Sequence, residues 1–289
     1  MLTYWALRLA IPVLPLLPQR VSRSLAYFAG YIAYWLSPRS RAVVRHNMRH
    51  ALGKEVDRKR LEREVQGVFR HSALNYLELV LLPRLTLGEL QRRVSLQGEE
   101  HFLQALGQGK GVIIATAHLG NFDLVVQLLV ARSLRLTALV EPLRYAPLLR
   151  LMIGLRSSKG LTFLAMGPGA LKSTIKALRR GEIVAVACDR CLNGKGMELP
   201  FLGEHTTLPC GAVDLAMKTG AVIIPAFSER QGEFFTIHLE PPIRPSGERS
   251  CSQDLRQPME QIVAAMEKHV RHRPEQWVMF QPLWGLPRR

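Results

Sequence analysis

Hydrophobic and polar positions alternate along the second half of the chain in a pattern that predicts strands and helices in turn. Short runs rich in β-branched residues occur at residues 111–116, 136–141, 182–187, 221–226 and 234–239. Segments with helical spacing occur at about residues 122–133, 146–156, 169–180, 210–219 and 253–272. Strands that alternate with helices favour a layered α/β sheet with active-site residues at strand ends. We therefore predict an α/β fold for this part of the chain.

The N-terminal part has two apolar stretches that lie among arginines. Residues 2–17 are interrupted by one arginine and two prolines, which argues against a clean membrane-spanning helix. Residues 25–36 are apolar throughout, but these 12 residues fall short of the roughly 20 that a spanning helix needs. Helical spacing puts several rings of this stretch on one face, namely Tyr27, Tyr31, Tyr34 and Trp35. Such rings and arginines suit the headgroup region of an anionic bilayer, so we predict that this end lies on a membrane, with a buried core helix as the alternative.

The rest of the chain has no internal repeat, long linker or low-complexity tract. Residues from about 56 to 95 show helical spacing with charged faces, and the α/β pattern follows them. We predict a basic, aromatic-rich, membrane-associating helical segment over residues 1–55 and one α/β domain over residues 56–289.

Composition and charge narrow the classes of partner. With 289 residues, of which 47% are hydrophobic, the chain is able to bury a full core. The net charge of +16 predicts an anionic partner: nucleic acid, an anionic membrane, or a phosphorylated or carrier-bound substrate. Most of the aromatic residues are not interleaved with the basic ones, so we predict no nucleic-acid partner. The chain has 4 cysteines, too few for a disulfide scaffold of this size, which favours a reducing compartment.

The most informative segment joins the first predicted strand, at residues 111–116, to the helix predicted at residues 122–133. His118 follows the apolar run, and Asp123 lies five positions later. On one continuous helix these side chains would point about 140° apart, so they meet only if His118 lies in the loop and Asp123 in the first helical turn. Gly120 permits the required turn, and Asn121 is a favoured helix N-cap. A carboxylate on one imidazole nitrogen leaves the other free as a general base.

The chain contains no GxSxG motif and shows no serine nucleophile near this pair. The pair would therefore activate a nucleophile of the substrate itself, such as a hydroxyl group. The alternative is a loop histidine beside an unrelated aspartate, because two-residue patterns recur by chance.

The His118–Asp123 segment, which reads HLGNFD, resembles the H-x4-[DE] signature of glycerolipid acyltransferases. It is most similar to the branch that contains late lipid A acyltransferases and phosphatidylinositol mannoside acyltransferases. Further blocks resemble that branch in consistent order from about residue 20 to 284: Arg45-His46-Asn47-Met48, Glu141-Pro142-Leu143 followed by Arg156, Asp189-Arg190, residues 196–203, Thr207-Leu208-Pro209 with Gly211, Thr219-Gly220-Ala221 with Pro225, and Arg273-Pro274-Glu275-Gln276-Trp277.

The resemblance implies a glycerol-3-phosphate acyltransferase-like α/β fold and a role for each matching residue. His118 would deprotonate the acceptor hydroxyl, and Asp123 would orient and charge-balance His118. Arg156 would contact a phosphate or the developing oxyanion, because its fork of donors suits both. The remaining substrate-binding residues implied are Gly120, Asn121, Glu141, Asp189, Arg190 and Glu198, for which ordinary surface charge is the alternative at Glu141 and Glu198.

The resemblance also implies the reaction partners. The donor would be an acyl carrier protein thioester or acyl-coenzyme A, and the acceptor would be a glycolipid, with no cofactor. The protein would lie at the cytoplasmic face of a bacterial inner membrane, either peripherally or with one short N-terminal membrane helix. A lipid A precursor or related glycolipid is the preferred acceptor. The alternatives are a lysophospholipid and a phosphatidylinositol mannoside. Asp123 favours the mannoside, because lipid A enzymes usually have Glu at this position. A membrane scaffold without catalytic activity is the alternative from another class.

A second pattern is compatible with a structural zinc site. Cys188, Cys191, His205 and Cys210 have the spacing C-x2-C-x13-H-x4-C. Cys188 ends an apolar strand, however, and the intervening Asp189-Arg190 matches the acyltransferase block. We therefore predict no metal site.

Overall fold

The computed structural model describes residues 2–191, 194, 196–245 and 252–285 of the chain. The α-helices are α1 Leu2–Val13, α2 Gln19–Leu36, α3 Pro38–Leu52, α4 Arg58–Leu81, α5 Leu87–Arg93, α6 Glu99–Gly107, α7 Phe122–Val125, α8 Leu128–Ala131, α9 Ala146–Arg156, α10 Pro168–Arg179, α11 Gly211–Thr219 and α12 Ser252–His272. The strands are β1 Val94–Gln97, β2 Val112–Thr116, β3 Leu136–Val140, β4 Thr162–Ala165, β5 Ile183–Ala187, β6 Met197–Phe201, β7 Glu204–Leu208, β8 Val222–Gln231 and β9 Phe234–Leu239.

Seven of these strands form one sheet in the order β1-β9-β8-β2-β5-β3-β4. Neighbouring strands are parallel except for β8 and β9, which form an antiparallel hairpin. β2 and β5 pair in a register that sets Thr116 opposite Ala187. The ends of these two strands therefore lie side by side, and the residues that follow them leave the sheet at the same edge.

Helices cover both faces of the sheet, as a parallel sheet requires. Ile113 and Val184 belong to a buried cluster with side chains from α3, α4, α10, α11 and α12. Val112 and Ile183 point to the other face, where side chains from α6, α8 and α9 pack against them. This alternation along each strand confirms the predicted layered α/β fold.

The helix predicted at residues 122–133 is two short helices, α7 and α8. At the break, the amides of Gln127 and Leu129 donate to carbonyls three residues earlier, at Leu124 and Val126, instead of four. The tighter turn interrupts the α-helical ladder.

The N-terminal helices pack on α4. α2 buries Ser22, Ala26, Gly30 and Tyr34, and a Cβ atom at Gly30 would lie 2.9 Å from the Arg70 Cα atom, so this glycine permits the close approach of α2 to α4. α3 packs on the α/β core, since its Val44 and Met48 side chains are fully buried in the same cluster as β2.

The opposite face of α2 exposes large apolar side chains. It presents Leu25, Tyr27, Phe28, Tyr31, Ile32, Trp35 and Leu36 to solvent. Tyr34 was predicted on the same face but is buried, because its ring packs edge-to-face on Phe69 and its hydroxyl donates to Glu62 Oε2 at 2.8 Å. Among the described residues, no helix combines the length and the apolar character needed to span a bilayer.

Candidate active site

His118 lies in the loop that joins β2 to α7. Asn121 caps α7 by accepting a hydrogen bond from the Leu124 amide at 3.1 Å, and Asp123 lies in the first turn of that helix. The loop position of His118, the N-cap and the position of Asp123 are therefore as predicted.

Gly120 makes this loop possible. Its φ of +65° lies in the left-handed region, and a Cβ atom there would lie 2.2 Å from the Ser228 carbonyl oxygen. The Gly120 carbonyl accepts a hydrogen bond from Asn75 Nδ2 at 2.7 Å. A side chain at this position would thus meet both backbone strain and a steric clash.

The carboxylate that contacts His118 is that of Asp189. Asp189 follows β5, two positions beyond the residue paired with Thr116, and His118 lies two positions beyond Thr116 itself. Asp189 Oδ1 lies 2.8 Å from His118 Nδ1, and Oδ2 accepts the His118 backbone amide at 2.8 Å. Because an ionised carboxylate only accepts hydrogen bonds, this contact places the proton on Nδ1 and leaves the Nε2 lone pair available.

Asp189 is fully buried, yet its carboxyl is held in the ionised form. Burial alone would raise the pKa of this carboxyl, but the charge of His118 in its protonated form, the hydrogen bonds from His118 and one from Trp277 outweigh it and lower the pKa. Trp277 Nε1 donates to Asp189 Oδ2 at 3.0 Å. Three donors thus hold a buried anion against the imidazole.

The structure corrects the predicted contact between Asp123 and His118. No hydrogen bond or ion pair joins these two residues in the described part of the chain. Asp123 Oδ2 instead accepts a hydrogen bond from Arg156 Nη2 at 2.9 Å, and Arg156 Nε lies 2.7 Å from Oδ1 at an angle unsuited to a hydrogen bond. The reason is that the first turn of α7 faces the C-terminal end of α9, where Arg156 lies.

A cavity at this edge of the sheet brings most of the predicted residues together. Its lining includes His118, Gly120, Asp123, Glu141, Arg156 and Arg190. Glu141, directly after β3, forms an ion pair with Arg190, which lies three positions beyond the end of β5. The two arginines that line the cavity therefore each face a carboxylate of the same site.

Glu198 does not lie at this cavity. It belongs to β6 of the two-stranded sheet, its side chain is exposed, and its nearest ionic partner is His205 Nδ1 at 4.0 Å. The structure therefore does not bring Glu198 together with the other predicted site residues. The β6–β7 hairpin directs the side chain to solvent.

The C-terminal PEQW segment supports the His118 loop. The Val278 amide donates to the His118 carbonyl at 2.8 Å, and the Gly120 amide donates to the Gln276 carbonyl at 3.1 Å. The resemblance of this segment to a family block gave no indication of the contact between Trp277 and Asp189. The residue that indicates this contact in the sequence is Trp277, because the single N–H donor of its indole requires an acceptor when the ring is buried.

A buried polar network behind the loop was also missed. Arg230 on β8 forms an ion pair with Glu78 on α4, donates to Asn75 Oδ1 at 2.8 Å, and exchanges backbone hydrogen bonds with the Gln276 side chain at 2.7 and 2.9 Å. Asn121 Nδ2 donates to Glu78, so the network extends to the N-cap of α7. These contacts join α4, β8 and the C-terminal segment around the loop, and their residues are far apart in sequence.

Two apolar cavities adjoin the site. One lies between the sheet and α6–α8 and shares Thr116, Phe122, Ala138 and Ala185 with it. The other lies between α1, α2 and α4 and shares Ser72, Tyr76 and Phe280 with it. Both therefore give apolar surface beside the polar residues around His118.

The described residues include no group of three or more His, Cys, Asp or Glu side chains placed to hold a metal ion. The C-x2-C-x13-H-x4-C pattern therefore does not form such a group within the part of the chain that the structure describes. His205 lies in the exposed hairpin, whereas Cys188 is fully buried after β5. Burial raises the pKa of the Cys188 thiol to about 12, so this thiol stays protonated in its buried environment.

Comparisons with known proteins relate the chain to lipid acyltransferases. Residues 1–285 match the family model of bacterial lipid A biosynthesis acyltransferases. A phosphatidylinositol mannoside acyltransferase of Mycobacterium tuberculosis is 28% identical over 213 residues, which are 72% of this chain and 66% of the relative. One of Mycolicibacterium smegmatis is 26% identical over 210 residues, or 72% of this chain and 67% of the relative. This chain spans about two thirds of the length of these relatives.

Among solved structures, the crystal structure of the 1-acyl-sn-glycerophosphate (LPA) acyltransferase PlsC from Thermotoga maritima matches 87% of this chain and 98% of its own chain. The sequence identity is 16% and the TM-score is 0.39.

Proposed function

This chain belongs to the bacterial lipid A biosynthesis acyltransferase family, and from that premise we propose that it transfers a fatty acyl chain from a thioester to a hydroxyl of a membrane glycolipid. The observation that carries the proposal is the contact of His118 Nδ1 with buried Asp189 beside a cavity. It gives the imidazole one fixed tautomer and a stabilised charge, which are the requirements of a general base.

In the proposed reaction, His118 Nε2 takes the proton of the acceptor hydroxyl while the hydroxyl oxygen attacks the thioester carbonyl carbon. The tetrahedral intermediate then collapses, the carbon–sulfur bond breaks, and the imidazolium returns the proton to the leaving thiolate. An ester and a free thiol result, without an acyl-enzyme. Asp189 stabilises the imidazolium between these two steps.

We assign the two arginine–carboxylate ion pairs of the cavity to the binding of the acceptor and of the thioester carbonyl oxygen. Arg156 is held by Asp123 and Arg190 by Glu141, so each guanidinium has a fixed position. Their remaining donors suit a phosphate, a sugar hydroxyl or the developing oxyanion. In this assignment Asp123 is a positioning residue for Arg156.

The two apolar cavities supply separate places for hydrocarbon chains. The cavity between the sheet and α6–α8 lies within the core, and we assign it to the donor acyl chain. The groove between α1, α2 and α4 lies beside the exposed aromatic face of α2, and we assign it to a chain of the acceptor lipid. This arrangement lets the acceptor remain partly in the bilayer while its hydroxyl reaches His118.

The exposed face of α2 supports a membrane-bound location for the site. Tyr27, Phe28, Tyr31 and Trp35 are amphipathic or apolar rings on a surface flanked by arginines, which suits the interface of an anionic bilayer. We propose that the protein lies on the cytoplasmic face of a bacterial inner membrane. As the acceptor we propose a lipid A precursor or related glycolipid, with a phosphatidylinositol mannoside or a lysophospholipid as the alternatives.

An acyl-transfer assay tests this function. Protein on anionic vesicles receives labelled acyl carrier protein or acyl-coenzyme A thioesters with lipid A precursors, mannosides or lysophospholipids as acceptors. We expect one acceptor to be acylated, and His118→Ala to lower the rate by about a hundredfold or more because the general base is lost. His205→Ala, which removes an exposed histidine of the β6–β7 hairpin, is the matched control and is expected to leave the rate unchanged.

Different outcomes separate the alternatives. Full activity of folded His118→Ala would remove His118 as the base. Thioester hydrolysis without acylation would place the acceptor outside the panel. No consumption of either donor by folded protein would favour the scaffold alternative.

A further inference from the structure

The net charge of +16 comes entirely from two segments that contain no acidic residue. Residues 1–54 and 142–181 each carry eight Lys or Arg and no Asp or Glu, whereas the rest of the chain has 23 residues of each sign. The first segment covers α1–α3 and includes the surface that we assign to the membrane. The second begins after Glu141, at the cavity, and covers α9, β4 and α10, so its excess charge needs a separate explanation.

α10 carries a stripe of cations on one side. Lys172, Lys176 and Arg179 follow at intervals of four and three residues, so their side chains share one face of the helix. All three are exposed, and none forms an ion pair within the described ranges of the chain. At 1.5 Å per residue the stripe is roughly 10 Å long. It is therefore an extended basic ridge that attracts anions.

The direction of α10 relates the ridge to the cavity. The helix connects the parallel strands β4 and β5, so it starts near the sheet edge that bears His118 and returns toward the opposite edge. Met166, two positions before α10, lines the cavity. α2 lies on the outer side of α4, which itself lines the cavity through Ser72 and Tyr76. The ridge therefore starts beside the cavity and runs away from it along the face of the sheet.

We propose that α10 is the docking surface of the acyl donor, and that the donor is a soluble, acidic carrier protein with the thioester on a flexible arm. The proposal rests on the proposed function of the cavity. A ridge of three spaced cations complements an acidic helix, whereas the phosphates of a coenzyme would need a compact cluster. Met166 and Leu171 are exposed apolar side chains at the start of the ridge, and they supply an uncharged contact next to the cavity.

The variant K172E/K176E/R179E tests the docking surface. We expect kcat/KM with an acyl carrier protein thioester to fall about tenfold or more, and its decline with added salt to flatten, because steering by opposite charge is lost. Transfer from acyl-pantetheine, which has no protein surface, and binding to anionic vesicles should stay as in the wild type. The matched control is R58E/K59E/R60E, which reverses three exposed cations at the start of α4 and should leave all these values unchanged.

Direct titration of the carrier protein onto the enzyme separates this proposal from the proposed function. Weaker carrier binding to the α10 variant supports the docking surface even if no acceptor is acylated. Unchanged carrier binding and transfer in the folded variant would overturn it while leaving the role of His118 intact. An equal loss with acyl-pantetheine, a loss of vesicle binding, or a wild-type enzyme that uses acyl-coenzyme A but not the carrier would also overturn it.

Discussion

At the scale of single residues, the candidate site depends on which carboxylate contacts His118. His118 and Asp189 are 71 positions apart in sequence and 2.8 Å apart in space, whereas Asp123, five positions from His118, pairs with Arg156. The carboxylates of Asp189 and Asp123 therefore lie in different environments. Asp189 is enclosed with three donors, while Asp123 neutralises a guanidinium at the wall of the cavity.

This separation predicts different kinetics for two conservative variants. Asp189→Asn should lower kcat by about a hundredfold or more, because a neutral amide no longer stabilises the imidazolium. Asp123→Asn should chiefly raise the KM of the acceptor, since it loosens Arg156. Steady-state kinetics at saturating donor distinguish the two effects. A larger loss of kcat in Asp123→Asn than in Asp189→Asn would return Asp123 to the role of partner of His118.

At the scale of elements, α2 has two different faces, one packed on α4 and the other exposed. Small residues and Tyr34 face α4, and Gly30 lets the two backbones approach closely. The other side keeps Phe28 and Trp35 more than half exposed, at 61% and 57%. Leaving such rings in water is unfavourable, so the exposed face gains free energy if a bilayer covers it.

We expect Phe28→Ser to weaken partition into anionic vesicles by about tenfold, because the variant lacks one ring that the bilayer would cover in part. The matched control is Leu103→Ser on α6, which removes another exposed apolar side chain from a helix elsewhere. Sedimentation with vesicles measures both. Equal partition of Phe28→Ser and wild type would contradict the assignment of this face to the membrane.

At the scale of the whole molecule, buried polar groups join distant segments around the site. The Glu78–Arg230 pair links α4 to β8, and the Gln276 side chain links β8 to the C-terminal segment. His71, also on α4, lies among Arg23, Arg70 and Arg230. Burial, with these three charges, lowers the pKa of His71 to about 3, so the imidazole is neutral in the folded protein.

The buried His71 predicts that the protein loses stability in acid. In the unfolded chain a histidine binds a proton below about pH 6.5, whereas His71 in the folded protein does so only near pH 3. Its contribution to the unfolding free energy is therefore constant above about pH 6.5 and falls by about 1.4 kcal/mol per unit as pH drops toward 3.

Urea unfolding at pH 7.5 and pH 5 measures this effect. His71→Leu, which has no titrating group there, should lose about 2 kcal/mol less than the wild type between these pH values. The exposed His205→Leu is the control and should behave as the wild type does. An identical loss in His71→Leu and wild type would show that His71 is not the titrating group.

Features that depend on local spacing could be predicted from the amino-acid sequence. Hydrophobic period, turn residues and capping act within a few positions, so they predict the five strands, the loop position of His118 and the N-cap at Asn121. The apolar stretch at residues 25–36 was likewise visible, although α2 is longer than this stretch.

The contacts between these residues, in contrast, arise from the order of the strands in the folded protein. β2 lies between β8 and β5 in the sheet, so the residues that follow β2 meet those that follow β5, although two other strands separate them in sequence. That order brings Asp189 to His118, and the return of the C-terminal segment adds Trp277. Tyr34 became buried for a similar reason, since Phe69 and Glu62 reach it from α4. Strand order and helix packing depend on contacts between remote segments, and the spacing within any one segment does not encode them.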